Sequence, residues 1–370
     1  MAKSEKTQTL HVPAGTQKST ELFDTIAWLR AFLSMFVVAI HVFEYGEIMT
    51  ALKMQPYDGA ENLKTFFESG YRAFTACAVP AFFLISGYLF FRGNDFSFTT
   101  YIDKLKRRST SLLVPFAIFH LLALSIWLGF AKIGIPQAVN LFSDFQWYDY
   151  FGLGNKQLNN PLWFIHDLII VVIASPIIHF FVKKIGLAFL VVAGTFLLMS
   201  QAKGVEFLGG VGIFWFSLGA FISINKIDFL QNIKHLNKWL LLSLWIFAAI
   251  LKISGFLSGK TIVFAIIAIG VLTIFSWCNY FVKRWHVPAT IAYLSSASMF
   301  IYCIHMPINQ IIARQIVKYI LANNLIPQNH FTIITLEISQ FLFLFLSSLA
   351  IYAVLKKVFP RVCAILCGGR

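Results

Sequence analysis

The chain alternates long apolar runs with short polar breaks. Runs of about twenty apolar residues are longer than a soluble core needs, and they match the length a helix requires to cross bilayer hydrocarbon. Ten such runs stand out: 25–43, 73–92, 110–131, 162–182, 185–200, 207–224, 238–257, 261–282, 290–313 and 331–355. The pattern predicts an all-α, polytopic membrane bundle of about ten transmembrane helices. Pro80 and the Ser86-Gly87 pair interrupt the second run. Proline permits a kink, and Ser and Gly let helices approach closely, so packing accounts for this segment taken alone. Pro307 is expected to bend the ninth helix.

Charge sets an orientation. With the N-terminus in the cytoplasm, roughly two-thirds of the Lys and Arg residues fall in cytoplasmic breaks, as the positive-inside rule requires. Both termini are then cytoplasmic. The expected organisation is a cytoplasmic tail over 1–23, a membrane domain over 24–358 and a second cytoplasmic tail over 359–370. The first 20 residues are polar and lack the apolar core of a signal peptide. No break leaves room for a soluble catalytic domain, so chemistry belongs inside the bundle or at its faces.

Composition agrees: of 370 residues, 58% are hydrophobic and 12% charged. The net charge of +14 does not point to nucleic acid, because the excess follows the topology. Of five cysteines, Cys77, Cys278 and Cys303 fall within predicted helices, and Cys363 and Cys367 in the cytoplasm, where disulfides rarely persist. None has zinc-ligand company, so no metal is expected.

Arg30 and His41 are the first candidates for chemistry. Eleven residues turn a helix by about 1100°, roughly 20° beyond three turns, so both side chains leave nearly the same face, about 16 Å apart along the axis. Arginine at a membrane centre costs about 2.5–3.5 kcal/mol on insertion scales, so such a group usually faces a wet cavity or a partner. The bland alternatives are snorkelling for Arg30 and an interfacial helix end for His41. The functional readings are a clamp on phosphate or carboxylate for Arg30 and a general base for His41, with Glu44 one turn later to orient it. Lys104, Lys106, Arg107 and Arg108 read either as a topology signal or as an anion site. His166 and Asp167 are sequence neighbours, so they are expected to face different directions rather than form a dyad. Trp163, just before them, suits an interface anchor. Tyr302 and His305 share a helix face. Glu337 lies in an apolar stretch, where a carboxylate needs a partner. Loop 132–161 gathers Phe142, Phe145, Trp147, Tyr148, Tyr150 and Phe151 beside Asp144 and Asp149, as an interfacial segment or a sugar-binding lip.

These pieces together resemble the acyltransferase-3 family of integral-membrane O-acyltransferases. The matching residues are Trp28-Leu29-Arg30 with His41, Pro80 to Tyr88, and the basic cluster ending at Arg108 with Pro115 beyond it. Leu162 to Leu168, Phe216-Ser217-Leu218-Gly219 and Phe300 to His305 follow in family order. His166 stands where the family often has Arg, and Thr110 and Ser111 where a second Arg often precedes the proline. The resemblance implies ten membrane helices and transfer of an acyl group from cytoplasmic acyl-CoA to an extracytoplasmic hydroxyl. Acetyl-CoA is the expected donor. The expected acceptor is a glycan or lipid-linked saccharide of the cell envelope, and the expected location is the bacterial inner membrane. The family's arginine and histidine motif of the first helix falls on Arg30 and His41, and its cytoplasmic basic motif on Lys106, Arg107 and Arg108. His41 with Glu44 is then expected to be catalytic, and Arg30 with the basic cluster to bind the coenzyme A phosphates. Trp147, Trp163, His166, Asp167, Tyr302 and His305 are candidates for the acceptor side. Direct transfer and an acyl-histidine intermediate both stay open. The rivals are a secondary transporter using Arg30, His41 and Glu337, and a non-catalytic glycan exporter.

Overall fold

The computed structural model describes residues 14–42, 70–93, 96–149, 158–203, 210–256, 259–323, 325–327 and 330–369. Its regular elements are helices: α1 (Ala14–Ile40), α2 (Ala78–Phe91), α3 (Phe98–Arg108), α4 (Val114–Lys132), α5 (Pro136–Ser143), α6 (Trp163–Ile173), α7 (Ser175–Ile185), α8 (Leu187–Lys203), α9 (Gly210–Ile224), α10 (Phe229–Lys234), α11 (Lys238–Ile253), α12 (Lys260–Trp285), α13 (Ala289–Ile308), α14 (Arg314–Ala322), α15 (His330–Val358) and α16 (Pro360–Leu366).

Each of the ten expected segments contains helix. Six described stretches are long and apolar enough to cross a membrane: Thr20–Ile40, Gly70–Phe91, Phe98–Lys132, Thr261–Trp285, Ala289–Ile308 and Ile334–Val358. The α6–α7 pair makes a seventh, bent by 63° at Ala174. The bend has a covalent cause: Pro176 has no N–H to give to the preceding turn, and its ring is accommodated in the first turn of α7 rather than inside a continuous helix. Apolar side chains such as Phe331, Leu346 and Val354 stand exposed along α15. Lipid is the solvent that suits such a surface.

α1 is the axis of the bundle. It packs against α2, α12, α13 and α15. It begins well before the apolar run that predicted it, and its early turns are tied down by polar contacts. Glu21 pairs with Lys234 at 3.2 Å and accepts from Asn279 at 2.9 Å. Trp28 donates its indole N–H to the His286 carbonyl at 2.7 Å. In the second run the break falls at Ala76–Cys77, and Pro80 sits in the first turn of α2, where the missing N–H has no partner to lose. Pro307 is followed by a wider π turn over Asn309–Ala313. The C-terminal residues are ordered: α16 packs on α4 and α15, with Cys363 and Cys367 buried. All five cysteines are buried and free.

Helices α2 and α9 make the closest approach, through Gly87 and Gly219. The Cβ position of Gly87 lies 2.0 Å from the Phe216 carbonyl oxygen, and that of Gly219 lies 2.1 Å from the Leu84 carbonyl oxygen.

Candidate active site

His41 sits where α1 ends in a turn, its N–H bonded to the Val38 carbonyl at 3.1 Å. Its own carbonyl accepts from the Asn309 amide at 3.2 Å, and Asn309 Oδ1 accepts from the Gln340 amide at 2.6 Å. Three helices' worth of structure thus fixes the His41 backbone: α1, the π turn after α13, and α15. The His41 ring faces the His305 ring, with centroids 5.4 Å apart. His305 is fully buried, and its Nδ1 lies 3.0 Å from the Ile301 carbonyl. A carbonyl only accepts, so Nδ1 carries the proton and Nε2 of the neutral ring is an acceptor. Arg72 and Arg314 lie close enough to act on His41 electrostatically. Glu337 is fully buried on α15, one turn before Gln340.

A cavity of about 200 Å³ opens beside His41. Its polar lining among the described residues comes from His41, Tyr302 and the indoles of Trp163 and Trp215, and apolar residues such as Val37, Pro80 and Phe264 close it. The segment before α6 is pinned by two bonds. Asn159 donates to the Cys303 carbonyl at 2.9 Å, and Trp127 donates to the Leu158 carbonyl at 3.1 Å. Those bonds set Trp163 against the cavity. Tyr302 is buried, with Phe164 edge-on at 5.7 Å. An apolar chamber with one imidazole and one phenol suits proton transfer to or from a small group, because little water competes there.

His166 and Asp167 correct the sequence reading. Their side chains meet, Nδ1 to Oδ1, at 3.3 Å. They sit in the first turns of α6, where side-chain torsions bring adjacent residues together although their Cα–Cβ bonds diverge. Trp147 is 72% exposed, packs edge-on to Tyr148 at 5.6 Å, and does not line the cavity. Asp149 of the same loop is buried and accepts the Gln146 N–H at 2.8 Å, so its carboxylate serves the loop itself. Glu44, Tyr150 and Phe151 lie outside the described residues.

Toward the other end of α1, Ile26, Arg30, Leu33, Val37 and His41 follow one stripe of the helix at three- and four-residue steps. Arg30 is half-buried on that stripe. Lys106 and Arg107 are exposed in the last turn of α3, and Arg108 is half-buried. Lys104 of the same run turns inward to the Phe90 carbonyl and lies over the Phe90 ring at 5.4 Å. Among the described residues no group of three or more His, Cys, Asp or Glu is placed to hold a metal.

Sequence reasoning missed Asn309 and Gln340. Their signal was present: Asn309 lies one turn beyond His305, and Gln340 one turn beyond Glu337, each the next polar residue on that face.

The succinoglycan biosynthesis protein ExoH of Rhizobium meliloti (strain 1021) is 29% identical over 169 residues, which is 44% of this chain and 43% of that protein. The matched region is therefore less than half the length of that relative. No solved structure matches the chain. The family profile of an acyltransferase domain matches residues 23–357, nearly the whole chain, and the protein belongs to the acyltransferase-3 family.

Proposed function

We propose that the protein transfers an acyl group, acetyl in the simplest case, from cytoplasmic acyl-CoA to a hydroxyl of a glycan or lipid-linked saccharide outside the inner membrane. The single observation that carries this reading is the α1 stripe: a cation at Arg30, an imidazole at His41, and a small apolar chamber at the imidazole. In the proposed topology the chain crosses ten times with both termini cytoplasmic, residues 24–358 forming the membrane domain. The basic ends of α3, α7, α12 and α15 support that orientation. A relative concerned with succinoglycan supports a polysaccharide acceptor.

In the reaction, His41 takes the acceptor proton as the hydroxyl oxygen attacks the thioester carbonyl. The C–S bond breaks, an ester forms, and the imidazolium returns the proton to the departing CoA thiolate, so the imidazole is unchanged after each turnover. Glu44 assists His41, and His305 holds its ring from behind. Trp163, Tyr302 and the His166–Asp167 pair line the acceptor's approach, and Trp147 offers an outer aromatic face for a sugar. Arg30, Lys106, Arg107 and Arg108 meet the anionic donor.

The test is transfer of labelled acetyl from acetyl-CoA to an envelope saccharide by the purified protein in vesicles. Product that depends on both substrates supports the reading. CoA binding without any transfer overturns it and favours the exporter or transporter alternatives. Within the same assay, Arg30→Ala is expected to raise the Kd for CoA about tenfold or more, since hydrogen bonds to charged groups are worth about 1.5–3 kcal/mol. Arg30→Lys restores part of that, because the planar fork is lost. Unchanged CoA affinity in Arg30→Ala would place the donor elsewhere. Trp147→Ala is expected to raise acceptor KM severalfold with donor affinity intact, the pattern of lost ground-state binding. Lower stability with unchanged KM would instead make that loop a membrane anchor.

A further inference from the structure

A second and larger cavity, about 730 Å³, opens at the basic end of the bundle. Three cations line it from three separate turns. Arg92 follows the last residue of α2, Lys183 lies in the last turn of α7, and Lys226 lies in the turn after α9. One carboxylate, Asp228, is also in the lining, and it accepts the Gln231 N–H at 3.1 Å as the cap of α10. The cavity is therefore net positive. Part of its wall is aromatic: the His179 ring lies 4.6 Å from Phe96 and stacks parallel to Phe91 at 6.0 Å.

Lys226 stands where glycine is the usual choice. Its φ is +53°, its N–H bonds the Ser223 carbonyl at 3.1 Å, and the next N–H, of Ile227, reaches back to Ile222 at 2.9 Å. That pattern ends a helix and strongly favours Gly at the left-handed position. A lysine there costs backbone comfort and gives the cavity a charge.

Cations beside flat aromatic faces, in a cleft of ligand size, match a base carrying several phosphates. We infer that this cavity holds the 3′-phosphorylated adenosine diphosphate end of the acyl-CoA donor. The inference rests on the acyl-CoA reading above and adds Arg92, Lys183 and Lys226 to its cation set. The spacing supports it. Ile26 lines this cavity and Val37 lines the His41 chamber, on the same stripe of α1 and about 16 Å apart along the axis. The phosphopantetheine arm is about thirteen bonds long, comparable to roughly four extended residues or about 14 Å. With the nucleotide in the lower cavity, the thioester reaches the upper one, and Arg30 stands beside the path.

The experiment is calorimetric binding of CoA, 3′-dephospho-CoA and pantetheine to the full-length protein in nanodiscs. Arg92→Gln, Lys183→Gln and Lys226→Gly are compared with Lys238→Gln, a control whose ammonium lies over the Tyr280 ring at 4.2 Å on another part of the surface. Lys226→Gly suits its left-handed backbone, so it removes charge without threatening the fold. Each cavity variant is expected to weaken CoA about tenfold or more, to leave pantetheine unchanged, and to lessen the fall of affinity with added salt. The control binds as the wild type does. Wild-type CoA affinity in Lys226→Gly and in the Arg92→Gln/Lys183→Gln pair overturns the assignment while leaving the acyl-CoA reading standing. A wild-type protein that binds no CoA overturns both. Loss of binding to phosphatidylglycerol vesicles with CoA affinity unchanged would make the cavity a lipid-headgroup site and overturn the assignment too.

Discussion

His41→Ala is expected to lower the rate of acyl transfer by about 10²–10⁴, the range for loss of a positioned general base. Among the described residues nothing else lining the small chamber replaces it: the other polar side chains there are one phenol, Tyr302, and two indoles, Trp163 and Trp215. An indole N–H is a donor only, and a phenol holds its proton at neutral pH, so neither takes a hydroxyl proton readily. The substitution also leaves the fold its supports. Asn309 bonds the His41 backbone carbonyl, which alanine keeps, so the tie from α15 through Gln340 and Asn309 survives. CoA affinity is expected to stay near wild type, because the larger cavity lies toward the opposite end of α1. Turnover and CoA binding measured on one preparation separate these effects. Near-normal turnover in a folded, CoA-binding His41→Ala protein would remove His41 from the chemistry.

Much of this site was legible because one helix carries it. Arg30 and His41 share a face of α1 by arithmetic alone, and the structure keeps both in one helix or at its end. Trp163 and Tyr302 of the chamber stood out as polar or amphipathic groups in apolar runs, whereas Trp215 did not, being one aromatic among many in its run. Less legible was everything assembled from separate segments. Arg92, Lys183 and Lys226 each read as an ordinary positive-inside residue, and only the fold brings them around one cavity. The His166–Asp167 contact escaped because backbone periodicity fixes Cβ directions and not side-chain torsions. The bend at Ala174 had a local signal in Pro176, but the surrounding run was apolar enough to pass as one straight helix. Helical ends were the weakest part: α1 starts inside a polar stretch because Glu21 finds Lys234 and Asn279, partners more than two hundred residues away.

Gly219→Ala is expected to abolish most of the folded protein, and Gly87→Ala to do nearly the same. Each added methyl would lie about 2 Å from a backbone carbonyl oxygen of the facing helix, well inside van der Waals contact. At Gly219 the Tyr88 nitrogen, 2.7 Å away, closes the other side. Backbone atoms have no rotamer to change, so the helices must separate. Ordinary overpacking costs about 1–3 kcal/mol, and this case belongs at or above that range. The loss is not confined to stability. Helix α2 supplies Val79 and Pro80 to the His41 chamber and Tyr88 to the larger cavity, while α9 supplies Trp215 to the first and Ile222 to the second. The pair is a common wall, so any surviving Gly219→Ala protein is expected to show both weaker CoA binding and slower transfer. Gly129 of α4 is the control, with nothing within 4 Å of its Cβ position. Gly129→Ala should keep the wild-type Tm or raise it, as alanine favours helix more than glycine does. Thermal unfolding of the three variants in one detergent decides the matter. A Gly219→Ala protein that melts and turns over like the wild type would mean that α2 and α9 do not pack backbone to backbone.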